Sequence, residues 1–87
     1  MKIPWKKLNV GDLVVIRWVD IVATESWISK EEAKNMQPLE CMTVGWLISC
    51  DSDVVRLVST VGENSNTNVV AMPKGVIQAV DRVDYEC

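Results

Sequence analysis

Apolar positions in this chain come in short β-branched runs separated by turn residues, a pattern that predicts strands. Leu13 to Ala23 reads LVVIRWVDIVA and predicts a first strand over 12–23, opened by the turn Leu8-Asn9-Val10-Gly11-Asp12. Leu13, Val15, Val19 and Ile21 fall on one face, and Val14, Ile16, Trp18 and Val22 on the other. A strand apolar on both faces belongs in a closed barrel or at a subunit interface, because an open sheet wetted on one side alternates apolar with polar. Further strands are predicted over 41–49 (CMTVGWLIS), 54–61, 69–72 and 76–83. Asp51-Ser52-Asp53 and Met72-Pro73-Lys74-Gly75 read as tight turns, and Gly62 to Asn68, GENSNTN, as a loop.

The segment from Thr24 to Pro38 breaks the strand pattern. Ser29-Lys30-Glu31-Glu32 is a capping box, so a short helix is expected over 30–36, ending before Pro38. Five strands, an insert after the first and a compact turn before the last predict a mainly β chain. The expected architecture is a small five-stranded SH3-like barrel with a short helix inserted after the first strand, in one domain over residues 1–87. An OB-fold also has five strands and one helix, but its helix falls where this chain has only GENSNTN.

Composition narrows the chemistry. The chain has no histidine, which removes the usual general base and the commonest metal ligand. No serine or cysteine therefore has a histidine to activate it, and Asp51 and Asp53 lack apolar surroundings that would raise a pKa. We expect no enzyme activity, no cofactor and no metal. Net charge is −3, which argues against duplex DNA as a partner. Three cysteines, Cys41, Cys50 and Cys87, cannot all pair internally, and reduced thiols in a cytoplasmic protein are the expectation. No apolar leader follows the N-terminal lysines and no run is long enough to span a membrane.

Four tryptophans and no phenylalanine carry nearly all the aromatic area. Tryptophan suits core packing, interface anchoring and stacking on a flat ligand. Trp18 and Asp20 share a strand face, so Trp18 could stack while Asp20 accepts hydrogen bonds; alternatively Trp18 is core and Asp20 caps the insert or pairs with Arg17 or Lys74. Ser26 and Trp27 precede the helix cap. Ile28, with Ala33, has the better spacing for a hydrophobic staple, which leaves Trp27 free to face a ligand or another chain. Trp46 follows Gly45, whose missing side chain permits a kink or a close approach. Arg17, Arg56, Lys74 and Arg82 are the cations of the strand region, available either to phosphate oxygens or to surface salt bridges. The expected ligand- or partner-binding set is Arg17, Trp18, Asp20, Ser26, Trp27, Trp46 and Lys74.

Trp18-x-Asp20, Ser26-Trp27, Glu31-Glu32-Ala33, Thr43-Val44-Gly45-Trp46-Leu47 and Pro73-Lys74-Gly75-Val76-Ile77 together resemble a set of short, mostly uncharacterised bacteriophage proteins, over residues 17 to 80. In size and non-enzymatic character the chain is also similar to phage proteins that sequester nucleotide signals of bacterial immunity. The resemblance implies a homo-oligomeric binder of a nucleotide-derived ligand in the host cytoplasm. The alternative is an interaction module that inhibits or redirects a host enzyme or nucleic-acid machinery.

Overall fold

The computed structural model describes residues 3–64 and 67–85. Cys87 lies outside the described residues. The chain forms β1 (Leu13–Asp20), α1 (Lys30–Lys34), β2 (Leu39–Cys50), β3 (Val54–Val61), β4 (Thr67–Pro73) and β5 (Ile77–Arg82). Single 3-10 turns cover Trp5–Lys7 and Lys74–Val76. The fold is mainly β, one antiparallel sheet in the order β4-β3-β2-β1-β5 with one short helix. No helix is long and apolar enough to cross a membrane, among the described residues.

The sheet is not closed into a barrel. β4 and β5 are its edges, and no ladder joins them among the described residues. It nevertheless encloses a core on one face. Val14, Ile16, Leu47, Val55, Leu57, Met72, Ile77 and Val80 form the buried cluster, with Ile3, Trp5, Leu8, Trp18 and Val76 packed against it. Val14, Ile16 and Val55 are 0% exposed although no second sheet or long helix covers them. A flat sheet cannot hide side chains this way, so the sheet curls over its own core. Three register shifts supply the curl, between Arg17 and Trp18, Leu47 and Ser49, and Val58 and Val61, because a bulge bends its strand and adds twist. The N-terminal segment packs Ile3, Trp5 and Leu8 against this core.

Several boundaries differ from expectation for identifiable reasons. β1 stops at Asp20, three residues short, because its partner strand begins there: Asp20 faces Leu39, the first residue of β2. Ile21 is consequently 88% exposed. β4 extends on both sides of the expected 69–72, since β3 offers it a ladder from Val54 to Val61. The helix starts as expected: Ser29 Oγ accepts the Glu32 backbone N–H at 3.1 Å and donates to the Glu32 carboxylate at 3.2 Å. It spans only Lys30–Lys34 because none of its residues is buried, leaving no tertiary packing to lengthen it.

Gly45 is the tightest point of the sheet. A Cβ there would lie 2.9 Å from the Val58 carbonyl oxygen and 3.2 Å from Leu57 Cβ. Gly75 has open space at the same position. Gly45→Ala should therefore lower stability by about 1–3 kcal/mol, the usual cost of overpacking, whereas Gly75→Ala should leave it nearly unchanged. Urea unfolding of the two variants beside the wild type checks this; equal midpoints would refute the close approach.

Candidate functional site

The residues expected to share a site are divided by the sheet. Trp18 lies on the core face, half-buried against the hydrophobic cluster. Its indole N–H donates to Thr43 Oγ1 at 2.9 Å, so neither the ring nor its donor is free for a ligand. Trp18 faces Cys41, and Trp46 sits an odd number of residues further along the same strand, so it points to the opposite face. Trp46 packs there between Leu13 and Val58, its cross-strand neighbours, and its indole N–H reaches the Tyr85 hydroxyl at 3.2 Å. It is half-buried, not core.

Asp20 ends β1, where its carboxylate accepts the Ile21 N–H at 2.8 Å. It forms no salt bridge with Arg17 or Lys74. Ser26 and Trp27 lie in the excursion that leaves the sheet at Asp20 and returns at Leu39. Because those two residues are paired, residues 21–38 form an arm projecting from one end of the sheet. Every residue from Asp20 to Glu40 is exposed, and Trp27 is fully so. The Ser26 N–H is held by Thr24 Oγ1 at 3.1 Å. An open hollow of about 360 Å³ at the base of the arm is lined by Asp20, Val19, Met36, Pro38 and Val76, all but Asp20 outside the expected set.

The cations are mostly engaged. Arg56 Nη1 contacts Asp51 Oδ2 at 3.1 Å, and Arg82 contacts Asp84 at 3.7 Å. Lys74 Nζ stands 4.6 Å from the centre of the Trp5 ring, a cation–π contact. Arg17 is exposed on the face opposite the core, beside Met42 and Ala79, with no salt bridge among the described residues. Sequence reasoning missed the Trp5–Lys74 pair and the hollow that Trp5, Lys6 and Lys74 share with Asp51 and Ser52. The signal available was Trp5 beside two lysines; what no local pattern reveals is that the turn before β5 comes to meet it.

Asp51 titrates abnormally for a visible reason. Its carboxylate accepts the backbone N–H groups of Asp53 at 2.9 Å and Val54 at 2.8 Å, and it also pairs with Arg56. These contacts, the backbone bonds first, lower its pKa from 3.8 to about 2. The β2–β3 turn is thus a structural device. Cys41 and Cys50 are both free thiols, and no group of three or more acidic, cysteine or histidine side chains is placed to hold a metal, among the described residues.

A scan against protein-family models finds no matching family, and searches of curated proteins and of solved structures return no match.

Two expectations follow from this geometry. A carboxylate with a depressed folded pKa stabilises fully above its unfolded value and loses that contribution as pH falls through the folded one. The turn should therefore be intact above pH 3.8, loosen as pH falls to about 2, and show no such dependence in Asp51→Asn. The amide shifts of Asp53 and Val54 across an acid titration report it; a midpoint near the ordinary aspartate value would contradict it. Thr43→Val should cost about 1 kcal/mol by orphaning the Trp18 N–H, read by chemical denaturation; an unchanged midpoint would show that bond to be immaterial.

Proposed function

We propose that this chain is a non-enzymatic protein-interaction module whose arm, residues 21–38, engages a protein partner through Trp27. The observation that carries the reading is Trp27 itself. A fully exposed tryptophan on a projecting arm has no role in the chain's own core. Tryptophans in that setting supply a large share of binding energy once a partner pocket covers them. The arm around Trp27 carries charges of both signs, Glu25, Lys30, Glu31, Glu32 and Lys34, which suits a polar rim around a buried tryptophan.

An SH3-like reading of the sheet accords with this role. Its support is the strand order β4-β3-β2-β1-β5 and the 3-10 turn leading into the last strand. The motif resemblance in the sequence supports placing such a module in a bacteriophage, acting in the host cytoplasm against a host enzyme or immune pathway.

A second reading, sequestration of a nucleotide-derived signal, has one specific support. Trp5 offers a ring and Lys6 and Lys74 offer charge around one open hollow. Trp18 cannot serve that role, because its indole N–H is bonded to Thr43, whereas Asp20 is exposed and its carboxylate accepts the Ile21 N–H.

The two readings separate experimentally. On the first, Trp27→Ala should weaken capture of the host partner by roughly 30-fold or more, the scale of an interface hot spot, with the melting temperature unchanged. On the second, cyclic dinucleotides or ADP-ribose should stabilise the fold by ~2.7 kcal/mol at a hundredfold excess over Kd, and Trp5→Ala should abolish the shift. Undiminished capture by Trp27→Ala would refute the first reading.

A further inference from the structure

We propose that the sheet face opposite the core is a self-association surface, on which two copies of this chain pack face to face about a two-fold axis. Cross-strand register places Leu13 and Val15 of β1, Met42, Val44 and Trp46 of β2, and Val69 of β4 on that one face. Met42 is 59% exposed and Val44 52%, on the stretch of β2 that pairs with β1 and lies beyond the β2–β3 ladder. An antiparallel sheet with only one covered face carries polar residues on the other. This one carries an apolar patch there as well, interrupted by Arg17 and Asp81. The pattern of β1 admits either a closed barrel or a subunit interface, and the sheet is open.

The size of the exposed surface points the same way. The chain exposes 6983 Å², against about 5,200 Å² for a compact monomer of its mass. Its radius of gyration is 16.3 Å, against about 12 Å for a compact chain of this length. The excess, about 1,800 Å², is more than twice the ~800 Å² that each partner hides in a standard interface. The arm, exposed at every residue, accounts for part of it.

A second copy is the occupant that this face fits. Arg17 and Asp81 both lie on it, Arg17 beside Met42 and Asp81 opposite Val15. Neither forms a salt bridge within the chain, among the described residues. A two-fold axis brings the same patch against itself, so each Arg17 can meet the other copy's Asp81 within the contact. Aligned sheets pack about 10 Å apart with interleaved side chains, a spacing that valine, methionine and leucine fill. Trp27 lies outside the strands, on the arm, so self-association through the sheet goes beyond whatever the arm engages.

Sedimentation equilibrium of the full chain from about 1 to about 100 µM, with melting temperatures over the same range, is the test. The wild type should approach twice 9.8 kDa, with a melting temperature that rises with concentration. Val44→Asp and Met42→Lys should each weaken the dimer by roughly 100-fold, since the axis buries each introduced charge twice. Trp27→Ala should dimerise like the wild type, so loss of partner capture and loss of the dimer are read separately. Should either apolar variant fail to fold, exposed Arg17→Asp decides: a weakened dimer supports the interface and an unchanged one overturns it. A wild type that stays at 9.8 kDa with a concentration-independent melting temperature, or face variants that dimerise as tightly as it does, would overturn the proposal.

Discussion

The bending of a single sheet around one face of side chains is the constraint on which the rest of this molecule depends. With no second layer, Val14, Ile16, Val55 and Leu57 become dry only because the strands curve over them. The register shifts permit that curvature. Gly45 permits it at the crowded centre, where the Val58 carbonyl leaves no room for a side chain. The buried set is small, and each side chain in it contributes only ~1.5–3 kcal/mol. Trp5, Leu8 and Trp18 at the margin therefore matter as much as the centre, and the Trp18–Thr43 hydrogen bond lets a polar indole sit there.

Curving toward one side leaves the other side apolar and uncovered. Met42, Val44 and Val69 are at least half exposed there. The arm leaves the sheet at the Asp20–Leu39 pair with no buried residue of its own. In our proposal these two surfaces have different partners: a second copy for the sheet face, and another protein for the arm that carries Trp27.

Local features were legible in the sequence. The third strand lies where its valines place it, and Ser29 caps the helix through Glu32. Asp51-Ser52-Asp53 forms the turn its residues prescribe. Which face of β1 turns inward was not legible, because both faces are apolar and the period-two pattern carries no preference. That choice decides whether Trp18 and Trp46 converge, and it depends on the pairing of Trp18 with Cys41, which is set by distant packing. Openness of the sheet was hidden for the same reason: closure is a property of ladders between β4 and β5, not of either strand. The contact of Trp5 with Lys74 joins opposite ends of the chain and leaves no local trace.

The central claim is that the curled sheet buries one apolar face within the chain and the other against a second copy. Isotope-filtered NOE spectra of a one-to-one mixture of labelled and unlabelled chains test it most directly, because they see contacts between copies alone. The account predicts cross-chain NOEs from the methyl groups of Val15 and Val44 to the Trp46 indole or the Met42 methyl of the other copy. Spectra without cross-chain signals at concentrations near a millimolar, or with signals confined to residues 21–38, would contradict it.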